Sequence, residues 1–204
     1  MNTKDLANSL KALFDELIDG APKTGAYMLN RGDPGLLKSL DRLSAADASK
    51  IHGDGSSIAA HVDHLTYGLS LMNRWAAGAN PFKGANWAAA WERTTVSEAE
   101  WAERRNALRQ EAANWSKALG TPRDVSDIEL NGMIGSIGHL AYHIGRRNRT
   151  VLAFLTYGRF SHWPGRRTGV RGGYSRSVRS IWLLNRGAGI DGWVGSEQSQ
   201  DGPV

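Results

Sequence analysis

Apolar residues recur at helical spacing in four separate stretches of this chain, and no segment alternates cleanly between apolar and polar residues. That pattern argues against a sheet-based fold and for packed amphipathic helices. The first stretch carries Leu6, Leu10, Leu13, Phe14 and Leu17; Thr3 is placed to cap it, and Gly20 to stop it after about Ile18. A short helix is expected after Asp33, with Pro34 in its first turn and Leu36, Leu37, Leu40 and Leu43 on it. His52 to Ser57 reads HGDGSS, which is turn chemistry. Ser57 then suits the N-cap of a second long helix, from Ile58 to Ala77, ended by Gly78. Ser97 and Glu100 form a capping-box pattern that opens a third helix, running to about Leu119 before Gly120 and Pro122. The fourth helix is expected to start near Asn131 and to reach about Tyr157. The fold class that follows is all-α: a four-helix bundle over residues 1–157, with one long loop, ANPFKGANWAAAW, between the second and third helices.

After Tyr157 the composition changes. Residues 158–204 are crowded with Gly, Arg and Ser and contain no Lys, whereas the preceding part has seven. They read as an irregular, disordered C-terminal tail. Seven arginines against Asp191, Glu197 and Asp201 put +4 of the net charge of +5 in this tail. The bundle itself is close to neutral, so nucleic acid is not an expected partner; a tail acting as a basic arm is the one route to it. Cysteine is absent, which excludes disulfides, thiolate nucleophiles and cysteine-based zinc sites. A transition-metal site must therefore come from histidines and carboxylates. No uncharged apolar run is long enough to span a membrane. The N-terminal MNTKDLANSLKALFDEL has early acids and no apolar h-region, so it is not expected to be a signal peptide. A cytoplasmic location fits these features.

GHLAYHIG sets His139 and His143 four residues apart, with roughly 5–6 Å between Cβ atoms on one helical face, a span that a single metal ion bridges. Alone, the spacing is weak, since such pairs arise by chance. Around this helix, Gly132, Gly135, Ser136 and Arg146 fall within about 60° of His139, leaving room beside the imidazoles. Met133, Ile137, Leu140, Ala141 and Ile144 form the core stripe on a separate arc. The histidines thus flank the core. Leu140 stands where the zincin motif has its glutamate, so this helix supplies no adjacent general base. His61 and His64 share the inward face of the second helix with Leu71, Met72 and Trp75, and either is a candidate third ligand. Asp63, Ser70 and Arg74 face the other way. A buried histidine needs a hydrogen bond or a metal, so two facing pairs strengthen the metal reading. His52, in a turn, and His162, in the tail, suit solvent better.

SSIAAHVDHLTYGLSLMNRWAAGANPFKGANWAAAWE followed by GMIGSIGHLAYHIG resembles the DinB/YfiT superfamily of four-helix metal-binding proteins, over about residues 4–145. The resemblance implies that His64, in its HL pair, is the ligand from the second helix, with His139 and His143 from the fourth. It leaves His61 a supporting or structural role. Members of this type continue after the last ligand with something like GAIRQ, where this chain reads GRRNRTVLAF. The implied cofactor is a divalent metal ion, with zinc best suited to three imidazoles and nickel the other option. The implied function is that of a metal-dependent enzyme, a hydrolase or a transferase or isomerase using a low-molecular-weight thiol, acting on a small-molecule substrate. The alternative is a non-catalytic metal-binding stress-response protein. Tyr67, Trp75, Trp91 and Tyr142 are candidate pocket residues, and a homodimer is a natural assembly for such a bundle. His64 also sits at the edge of its apolar arc and His61 nearer the centre, so only His64 is expected to reach the ion.

Overall fold

The computed structural model describes residues 2–52 and 56–157, and their side chains as far as Gly145, that of His52 excepted. Helix α1 (Thr3–Asp19) is capped one residue earlier than expected, because the Asn2 side chain accepts the Asp5 N–H at 2.9 Å. Gly20 ends it with φ of 112°, and its N–H bonds back to the Glu16 carbonyl. The Glu16 carboxylate is buried and accepts the backbone N–H groups of Tyr27, Met28 and Leu29 at 2.7–3.1 Å. One side chain thus fastens the link after α1. Pro34 pairs with Gly20 in an isolated bridge and does not enter the next helix; Gly35 caps α2 (Leu36–Leu40).

Helix α3 (Ala45–Ala48) follows, capped by Ser44, which accepts from Asp47 N–H. The two ends of the HGDGSS segment lie in two-residue strands, β1 (Ile51–His52) and β2 (Ser56–Ser57), paired antiparallel. Ser57 caps α4 (Ile58–Ala76) by accepting from Ala60 N–H, as its position in the sequence suggests. The Ser97–Glu100 capping box opens α5 (Glu98–Leu119). Helix α6 (Asp127–Tyr157) begins four residues before the expected start. A second capping box explains the difference: Ser126 accepts from Glu129 N–H, and the Glu129 carboxylate accepts from Ser126 N–H.

The architecture is helical, as expected. Helix α4 lies along α5, α1 packs on α5 and α6, and α6 closes against α4. Phe14, Leu17, Leu40, Trp101, Leu108, Trp115, Leu119 and Leu140 are fully buried between them. Each such side chain contributes about 1.5–3 kcal/mol. Both buried indoles place their N–H: Trp101 on the Leu43 carbonyl and Trp115 on Ser136 Oγ, each at 2.9 Å. Among the described residues, no helix is long and apolar enough to cross a membrane. The expected disordered tail, with His162, lies outside the described residues, as do the side chains of His52 and Arg146.

Candidate metal centre

Capping by Ser57 fixes the register of α4 and turns both His61 and His64 toward α6, where His139 and His143 sit one turn apart. His64 Nε2 lies 3.0 Å from His139 Nε2, and His61 Nδ1 lies 3.0 Å from His143 Nδ1. One ligand nitrogen from each of His64, His139 and His143 lies within 4.8 Å of the others. Two imidazoles on one tetrahedral zinc, with bonds of about 2.0–2.1 Å, hold their nitrogens about 3.3 Å apart. The His64–His139 pair is close to that spacing, and the ligand nitrogen of His143 lies within 4.8 Å of both.

Burial first, and then His139 and His61 nearby, push the His64 pKa down to about 4, and burial lowers that of His139. Both rings are therefore neutral at physiological pH, the state in which imidazole binds a metal. His64 Nδ1 is buried and has no hydrogen-bond partner. With Nε2 facing His139, a metal would take that nitrogen, so the fit to a cation rests on the converging imidazoles themselves.

The expectation that His64 is at the edge and His61 at the centre is not reflected in burial: they are 5% and 8% exposed, and His143 is 3% exposed. Both histidines of α4 meet α6. Their nearest nitrogens differ: His61 Nδ1 approaches His143 and His64 Nε2 approaches His139, while the His64 and His143 rings also lie 5.0 Å apart. The small residues near the α6 pair also do something other than leave room. Ser136 receives the Trp115 N–H, and a methyl group at Gly132 would collide with the Trp75 ring. Trp75 packs on Phe82. Tyr142, 41% exposed, lies edge-on to His143.

The wall over the imidazoles comes from the loop between α4 and α5. Trp91, in a 3-10 turn (Ala89–Trp91), stacks on His64 with centroids 4.3 Å apart, and meets His61 edge-on at 5.0 Å. Trp87 lies 5.8 Å from His64. Tyr67 anchors this loop by accepting the Asn86 N–H at 2.9 Å. Sequence reasoning did not single out Trp87; its signal was the density of tryptophans in a loop with few other large residues.

A family model described as the DinB superfamily matches residues 28–151. No curated protein and no solved structure matches the chain.

Proposed function

The chain belongs to the DinB superfamily, and on that premise we propose that it is a divalent-metal-dependent enzyme acting on a small molecule, with His64, His139 and His143 as the metal ligands. The observation that carries this reading is the convergence of ligand nitrogens from His64, His139 and His143, the first two on rings kept neutral by burial. Zinc suits the donor set best, with nickel the second option. Such an ion supplies Lewis acidity, which makes a water or a thiol a better nucleophile at neutral pH. The family resemblance favours a low-molecular-weight thiol as the co-substrate, with transfer, isomerisation or hydrolysis as the reaction.

The remaining residues prepare that centre. His61 engages Nδ1 of His143, which fixes that ring and leaves Nε2 as the coordinating atom. Trp91 and Trp87 shield one side from water and hold the imidazoles in a low-dielectric setting. Tyr142 offers a hydroxyl on the exposed flank of His143.

One observation favours a second reading. Trp91 stacks directly over His64, and this cover suits a metal that only staples α4 to α6. Metal titration of the purified chain, with parallel assays against thiols and electrophiles, tests both. We expect one divalent ion per chain in the wild type, and none bound stoichiometrically after His64→Ala or His139→Ala. Turnover that chelation abolishes, without loss of helicity, supports the enzyme. Unfolding on chelation with no turnover supports the staple. Metal content that survives both substitutions overturns the site.

A further inference from the structure

The loop that walls the histidines is held differently from the helices. Between residues 77 and 95 no residue belongs to the buried apolar core. The loop sits on α4 through aromatic rings instead. Phe82 meets Trp75 edge-on, Trp87 meets Tyr67 edge-on at 5.4 Å, and the Asn86 N–H rests on the Tyr67 hydroxyl. Trp91 lies face to face with its partner: its ring stacks on His64 at 4.3 Å, with the planes 26° apart. Ala89 and Ala90 of the same turn line an open depression of about 620 Å³ in which no histidine takes part, and Ala89 is exposed. The turn is thus seated chiefly through Trp91, and whatever strengthens that stack acts on the segment around it.

His64 turns Nε2, its ligand atom, toward His139 and offers the face of its ring to Trp91. Between a neutral imidazole and an indole such a stack is a modest attraction. An imidazole that ligates a dication gives up electron density, so its ring carries part of the positive charge. Indole presents the most attractive of the aromatic faces to a cation. The stack therefore tightens when His64 is ligated, by a factor of about three to ten, the scale of one cation–π contact. Linkage makes the effect reciprocal. A tryptophan that grips the loaded ring more tightly than the empty one raises the affinity for the ion by the same factor. Trp87 is tilted by 53° and lies 5.8 Å from His64, which gives it little of this coupling.

We propose that Trp91 is a latch between the metal centre and the loop: an ion on His64 tightens the stack, and the stack locks residues 86–92 against α4. The claim rests on the metal reading of His64, His139 and His143. Amide hydrogen exchange of the full chain, with and without zinc, tests it alongside calorimetric zinc titration. In the wild type, zinc should slow exchange over residues 86–92, the Asn86 N–H included, by about three- to tenfold. Trp91→Leu keeps an apolar side chain over His64 but removes the π face. It should bind one zinc per chain about three- to tenfold more weakly and lose the zinc-dependent protection of 86–92. Trp91→Phe should fall between the two, and Trp87→Leu should keep the zinc-dependent change. These positions lie outside the apolar core, so the variants should keep the wild-type circular dichroism. A tryptophan that only packed the loop would change exchange equally with and without zinc. Stoichiometric zinc with unchanged exchange over 86–92 overturns this proposal alone, as does Trp91→Leu with undiminished affinity and protection. Absence of any zinc binding overturns the metal reading and this proposal with it.

Discussion

His61 and His64 stand one turn apart on α4; His61 approaches His143, whereas His64 meets both imidazoles of α6. A histidine that orients a ligand through its second nitrogen tunes affinity without contributing a bond to the metal. His61→Ala should therefore weaken zinc binding by about 10–100-fold while keeping the stoichiometry, and His64→Ala should abolish it. Calorimetric titration of the two variants checks this; the opposite ranking would exchange their roles. Glu16 is a second residue whose protonation state matters to the fold. Burial acts to raise its pKa, but the N–H groups of Tyr27, Leu29 and Met28 outweigh it and hold the carboxyl below its usual range. Between the unfolded and folded values the unfolded chain binds the proton more readily, so this contribution is complete above the unfolded pKa. It is lost as pH falls through the folded one. Denaturant titrations should show Glu16→Gln less stable than wild type by about 1–3 kcal/mol at pH 7, with the gap narrowing on acidification. A gap that stays constant with pH would contradict this account.

At the scale of elements, a local cap made a helix legible in the sequence where a long apolar period followed it, as in α4 and α5, and not elsewhere. Ser57 and the Ser97–Glu100 box gave the starts of α4 and α5 because a cap is a local hydrogen bond. The start of α6 was misplaced although Ser126 and Glu129 have the same spacing, since the polar residues after them hid the pattern. Helix α3 has only four residues, too few for any period to show. The Gly20–Pro34 bridge joins positions whose pairing depends on Glu16 drawing the intervening link inward, which no periodicity encodes. The three histidines were found from spacing and resemblance. The contact of His61 with His143, and the cover by Trp91, depend on how α4, α6 and the loop meet. Gly35 is the sharpest test of the junction at the Gly20–Pro34 bridge, where the link returns to the end of α1. A methyl group there would overlap backbone atoms of Ile18, Asp19 and Gly20, which cannot swing aside as a side chain can. Gly35→Ala should cost about 3 kcal/mol or more, within the range of severe core overpacking, and thermal unfolding measures it. A loss below about 1 kcal/mol would mean the junction is looser than the contacts imply.

For the whole molecule, the question is whether the bundle stands without its ion. The packed interior of Phe14, Leu17, Trp101, Leu108, Trp115 and Leu119 ties α1 to α5 and involves none of the four histidines. The imidazoles carry the contact of α4 with α6 and the seat of Trp91 from the loop. The metal-free chain should therefore stay helical at 25 °C, and chelation should lower the melting temperature without collapsing the circular dichroism spectrum. A ligand that binds only the folded state adds about 2.7 kcal/mol at a concentration one hundred times its dissociation constant. For a domain of this size that raises the melting temperature by about 5–10 °C. The increment should rise with the logarithm of free zinc, fall in His61→Ala as its affinity falls, and vanish in His64→Ala. Calorimetric scans across a zinc series distinguish the outcomes. An increment that persists in His64→Ala would place the ion elsewhere, and a chain that unfolds at 25 °C once chelated would make the metal part of the core.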